Sequence, residues 1–169
     1  LSIQPSSLGQ GVSYSFTLSA TCLDATADTT ATTTNTAFTT VTVHMNSAPM
    51  GGVLDVTPSS GQALTTAFLL YTSLWVDDAE DYPLWYVLSS YTLNPQSATV
   101  LKTRDQVPHA SAALGQGLFS TSYTVNCLAT AADTYGATAE AKKGVTVTPL
   151  SLFFGREALL MQKQNSGSS

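Results

Sequence analysis

The ten residues SYSFTLSATC, Ser13–Cys22, alternate without a break: Tyr14, Phe16, Leu18, Ala20 and Cys22 against Ser13, Ser15, Thr17, Ser19 and Thr21. A period of two sends successive side chains to opposite faces, so this segment reads as a strand with one apolar and one hydroxyl face. Val41, Val43 and Met45 repeat the alternation, as do Val145 and Val147, and a counterpart of the first strand runs through Phe119, Tyr123, Val125 and Cys127. Further strands are predicted at 53–57, 64–71, 84–91 and 98–102. Pro58-Ser59-Ser60-Gly61 and Asn94-Pro95 supply turns between them. Short runs of this kind, without long amphipathic helices between them, indicate an antiparallel β-sandwich.

A repeat organises these strands. LGQG occurs at 8–11 and again at 114–117, CLDATADT at 22–29 returns as CLATAADT at 127–134, and VTV at 41–43 returns at 145–147. The offsets are 106, 105 and 104. A period of that size suits one sandwich module and is too long for a solenoid repeat. The expected organisation is therefore the C-terminal half of a first module (1–46), a complete module (47–149) and a tail (150–169) in which Arg156–Gln164 forms a short helix. Asn46–Gly52 is the joint, stiffened by Pro49. Leu1 opens straight into strand-like sequence, which with the repeat implies a piece of a longer protein.

Composition narrows the function classes. The chain has 169 residues, of which only 10% are charged, 6 Lys+Arg against 11 Asp+Glu, where roughly 25% is usual. Hydroxyls take their place, 26 Thr and 20 Ser, which suits strands and turns better than helices. No Lys or Arg precedes Lys102 and the net charge is −5, so nucleic-acid binding is excluded on electrostatic grounds. No apolar run approaches the ~18 residues of a membrane-spanning helix. Two cysteines are too few for a disulfide scaffold and lack metal spacing.

NSAPMGGVLDVTPSSGQALTTAF (46–68) followed by WVDDAEDYPLWYVLSSY (75–91), with Asp133-Thr134-Tyr135-Gly136-Ala137 before the last strand, resembles the receptor-for-egg-jelly (REJ) module of polycystin-1-like surface proteins. The resemblance covers 48–149, with 1–46 as the tail of a preceding copy. It implies tandem extracellular Ig-like or fibronectin-type β-sandwiches in large ectodomains, often on cilia, flagella or gametes. Family members commonly carry a Cys beside Gly-Gly or shortly before the Trp, where this chain has Val53 and Tyr71-Thr72-Ser73. Cys127 therefore lacks a mate in its own module. In an end-to-end array Cys22 would lie too far from it to bridge, leaving two buried thiols or pairing outside the chain. Trp75 is expected to span the layer between the sheets, and Pro83 to begin a strand.

Asp77, Asp78, Glu80 and Asp81 place four acids within five residues. A hard cation such as calcium needs several oxygens on a tight loop. These four are the candidate metal ligands, with Asp133, or Asp28 in the preceding copy, as a neighbouring donor. The alternative is a solvated acidic turn with an Asx cap. Catalysis has little to rest on. No Gly-x-Ser-x-Gly elbow occurs. His44, in a strand near the joint, and His109, in a loop after Pro108, read as exposed structural histidines rather than general bases. LGQG lacks the residues of a phosphate loop and reads as a turn. The nine Thr of 29–42 are candidate O-glycan sites, and no Asn-linked sequon exists.

The expected function is a non-enzymatic extracellular structural and adhesion module in a tandem stalk or filament, ciliary or flagellar by the resemblance. Its partners would be other protein chains or further copies of the module. The alternative is an accessory glycan-binding sandwich attached to a secreted enzyme, using Tyr82, Trp85, Tyr86 and Tyr91 as an aromatic row.

Overall fold

A computed structural model describes residues 2–4, 7–24 and 33–150, with the backbone alone at 23, 24, 33 and 34. The described residues form ten strands and two single 3₁₀ turns, with no α-helix. The chain is an all-β sandwich, preceded by a hairpin.

That hairpin pairs β1 (Ser13–Asp24) with β2 (Thr33–His44), antiparallel over twelve residue pairs. Its wet face is a hydroxyl ladder: Ser15 with Thr42 (3.0 Å), Thr17 with Thr40 (2.9 Å), Thr21 with Thr36 (3.2 Å), closed by Ser13 Oγ and His44 Nδ1 at 2.6 Å. Cross-strand hydroxyl pairs of this kind stabilise a ladder without charge, which accounts for the Ser/Thr enrichment here. The other face carries Tyr14, Phe16, Leu18, Val41 and Val43, with Leu18 72% and Val41 58% exposed.

The sandwich proper is built from β3 (Val53–Thr57), β4 (Ser60–Gln62), β5 (Ala67–Ser73), β6 (Trp85–Tyr91), β7 (Thr99–Asp105), β8 (His109–Ala113), β9 (Thr124–Ala132) and β10 (Thr138–Thr148). One sheet has the order β4-β10-β9-β6-β7 and the other β3-β5-β8. Every pairing is antiparallel except β4 with β10. Inward positions interdigitate as two facing sheets require: Leu54, Val56, Phe68 and Leu70 from the smaller sheet meet Leu88, Val125, Cys127, Ala129, Val145 and Val147 from the larger. The first hairpin is the sequence counterpart of β9–β10, but Cys22 faces Asn35 whereas Cys127 faces Lys143. The register thus differs by four residues, an even slip that leaves each side chain on its own face.

The structure corrects several expectations. The strand expected at 64–71 begins only at Ala67, because Leu64 takes a left-handed φ of 62°. The one expected through Phe119 and Tyr123 begins at Thr124, because Ser122 and Tyr123 are left-handed too (φ 53° and 58°) and Phe119 is 83% exposed. His109 opens β8 opposite Tyr71 rather than lying in a loop, and β6 starts two residues after Pro83. Phe68, wholly buried, fills the centre of the core in place of Trp75, which is half-buried at its edge over Gly52. Cys22 is exposed rather than buried, since its face of the hairpin meets no second sheet among the described residues. The expected helix at 156–164 lies outside the described residues, as does Asp28.

Candidate functional site

The acidic loop connects β5 to β6 between an antiparallel bridge and a turn. Met50 and Val76 exchange two backbone hydrogen bonds of 2.9 Å, fixing where the loop begins. Asp77 N–H donates to the Tyr82 hydroxyl (3.1 Å), Asp78 N–H to Asp77 Oδ1 (3.0 Å), and Asp81 N–H to the Asp78 carbonyl (3.0 Å). The chain is thereby folded back on itself within six residues, and the carboxylate oxygens of Asp77, Asp78 and Asp81 come within 4.8 Å of one another. Glu80 stands outside that group, though it lines the same cleft.

Asp133, at the turn between β9 and β10, supports the loop from behind. Its side chain is fully buried. Oδ1 accepts from the Ala137 N–H (2.9 Å), which closes the turn, and Oδ2 accepts from Asn46 Nδ2 (2.7 Å). Thr134 N–H donates to the Asp81 carbonyl (3.1 Å), tying turn to acidic loop. His44, Met45, Asn46, Asp78, Glu80, Asp81 and Tyr135 line an open cleft of about 690 Å³. Joint, acidic loop and β9–β10 turn therefore meet at one pole of the sandwich.

Electrostatics at this pole are one-sided. Burial raises the Asp81 carboxyl above its ordinary value, reinforced by the charges of Asp77, Asp78, Asp133 and Glu80. Burial likewise raises Asp77; the Asp78 N–H opposes this, and Asp133 and Asp78 add to it. The ion pairs found among the described residues, Lys102–Asp105 and Lys142–Glu140, do not involve these aspartates. Such an arrangement suits a hard cation, which takes oxygen donors, better than proton transfer to a substrate. Of the acids, sequence spacing marks the 77–81 group. Asn46 has no such signal, being a joint residue that reaches the site only through the fold.

The other candidates are dispersed. His44 is bonded to Ser13 and His109 is exposed on β8. Trp85 and Tyr86 are consecutive on a strand, so they point to opposite faces, and the Arg104 guanidinium covers the Trp85 ring at 5.2 Å. Tyr82, Trp85, Tyr86 and Tyr91 thus do not form one flat row. The first LGQG ends in a turn, with Gly11 at φ 66°, whereas the second is irregular and its Gly117 packs against the Tyr123 backbone. No helix among the described residues is long and apolar enough to cross a membrane.

Compared with known proteins, residues 1–168 match the family model described as REJ domain. No curated protein matches the chain.

Proposed function

The chain belongs to the REJ domain family, and on that premise we propose that it is a non-enzymatic spacer and adhesion module, one link of a tandem stalk or filament on a ciliary or flagellar surface protein. REJ modules are extracellular and non-catalytic. One observation carries the spacer reading: the chain enters and leaves the sandwich at opposite poles. Asn46 is fastened to Asp133 at one end of the β9–β10 pair, and the Thr148 carbonyl accepts from Ala63 N–H at the other. Eleven residues of β10 separate the two ends, about 35 Å at the usual rise of a strand. Copies joined this way run in line rather than folding back.

The first hairpin supports the same reading. Its apolar face is the repeat counterpart of the face that β9–β10 turn toward β3, β5 and β8, as the closing hairpin of a preceding module would have. Hydroxyl faces keep such a stalk solvated at low charge, and threonines of 29–42 offer O-glycan positions. Partner chains or further copies would engage the exposed faces. Small-angle scattering of the 169-residue chain tests the arrangement. An in-line hairpin and sandwich have a largest dimension of about 75 Å from their strand lengths, whereas a hairpin folded onto the sandwich gives little more than half that and sinks the spacer reading.

A further inference from the structure

The acceptors at the joint pole outnumber their donors, and two of them are buried. Asp81 is only 5% exposed as a residue, its carboxylate opens on the cleft with no hydrogen bond or ion pair among the described residues, and it lies within 4.8 Å of the Asp77 and Asp78 oxygens. Asp77 Oδ2 is buried without a partner. Asn46, which lines the same cleft, spends its Nδ2 on Asp133 and leaves a buried Oδ1 unpaired. Every one of these orphans is an oxygen acceptor. A carboxylate oxygen buried without a partner is disfavoured unless a positive charge offsets it, and among the described residues no Lys or Arg pairs with these aspartates. Bonds of about 2.3–2.6 Å let two oxygens on one calcium ion stand up to about 5 Å apart, and a Ca²⁺ site draws its remaining ligands from carbonyls and water. The spacing of the three carboxylates meets that requirement.

We propose that Asp77, Asp78 and Asp81 hold a calcium ion that locks the start of the joint, at Asn46, against the β9–β10 turn. The ion draws in the acidic loop, the loop is bonded through the Asp81 carbonyl to Thr134, and the neighbouring Asp133 holds Asn46. Binding at this site stands on the geometry alone; only the mechanical value of a locked joint rests on the spacer reading.

The test uses the whole chain after chelation, titrated with CaCl₂ by calorimetry and with TbCl₃ by luminescence. Tyr82, whose hydroxyl is bonded to Asp77 N–H, is the sensitiser. We expect one saturable site with a dissociation constant of about 10⁻⁴–10⁻³ M, as in other extracellular modules, and weaker binding of MgCl₂. Asp78→Asn, at an exposed position, weakens CaCl₂ binding at least about tenfold. Asp81→Asn abolishes it while melting higher than the natural chain in chelator, since it removes one charge from a cluster of like charges. A merely structural Asp81 would lower the melting temperature in both conditions. No saturable heat up to about 10 mM CaCl₂, or binding untouched by both substitutions, overturns the site. Limited proteolysis at 45–48 reads the lock: protection by CaCl₂ in the natural chain and not in Asp78→Asn is the expected result. Binding without protection overturns the lock and leaves the site. A compact scattering envelope beside intact calcium binding rejects the spacer reading alone.

Discussion

Asn46 donates from Nδ2 to Oδ2 of Asp133 at 2.7 Å, across 87 positions of sequence, and so fastens the joint to the far end of the β9–β10 hairpin. Asp133 is fully buried and its other oxygen accepts the Ala137 N–H that closes the turn. Asp133→Ala strands two donors, each at about 1–3 kcal/mol. Unfolding in urea is expected to show a loss of at least about 2 kcal/mol. Asn46→Ala leaves one acceptor unpaired and costs less. The double variant is expected to fall short of the sum of the two, the signature of a direct interaction. Strict additivity would mean that the bond contributes nothing in solution.

Gly52 is required by Trp75. A Cβ at position 52 would lie 2.1 Å from the indole ring, closer than any packing allows. The ring is held by its Nε1 donating to Thr72 Oγ1 (2.7 Å), and that hydroxyl donates to the Val53 carbonyl (2.9 Å). Gly52→Ala is expected to expel the indole, shift tryptophan emission to the red and cost about 1–3 kcal/mol, the usual penalty for overpacking. Unchanged emission would show that the edge of the smaller sheet has room to move.

How far such features can be read from the chain depends on whether they are local. Alternation identifies β1, β3 and the interior of β9, because each of those strands sends apolar side chains to one face and polar ones to the other. It fails at Leu64 and at Phe119–Tyr123, where apolar residues sit in left-handed turns that no periodicity records. It also misses β8, whose sequence HASAA offers small side chains and no β-branched ones. The acids of 77–81 stand out by their spacing, while Asn46 joins them only through the topology that brings the joint and the β9–β10 turn to one pole. Both cysteines read as buried thiols, but burial belongs to the opposing sheet and not to the strand itself, and Cys22 has none across its face among the described residues.

The metal-free protein is expected to gain stability as pH falls toward the acidic range. Burial, with the surrounding negative charges, raises the folded-state values of Asp81 and Asp77 above the ordinary 3.8. The folded state therefore binds protons more readily than the unfolded one between 3.8 and those raised values. Their contribution is fully present below 3.8 and is lost as pH rises through the folded values. Asp105 has the opposite sign: the Val107 N–H foremost, and Lys102 after it, lower its carboxyl against some desolvation. Its contribution is present above 3.8 and is lost below that. Melting temperature against pH in chelator checks this. His44 lines the same cleft and Asp78, Glu80 and Asp133 surround it, so the control is Asp81→Asn, which keeps all four and should flatten the rise above 3.8. An unaltered profile in that variant would place the pH dependence elsewhere.

The two cysteines, equivalent in the repeat, are expected to differ in chemistry. Cys127 is wholly inside the sandwich, and desolvation pushes its thiol up to about 11, so almost none is thiolate at neutral pH. Cys22 is exposed on the hairpin. A disulfide reagent at neutral pH should therefore modify one thiol per chain quickly, and the second only as fast as the sandwich opens, with both reacting at once in denaturant. The Cys22→Ser chain should show only the slow phase, which follows unfolding rather than reagent concentration. Two fast thiols would mean that β9 opens locally and that the core is looser than its packing implies. No fast thiol at high protein concentration, recovered on dilution, would mean that a second copy covers the apolar face of the hairpin where the repeat puts a sheet.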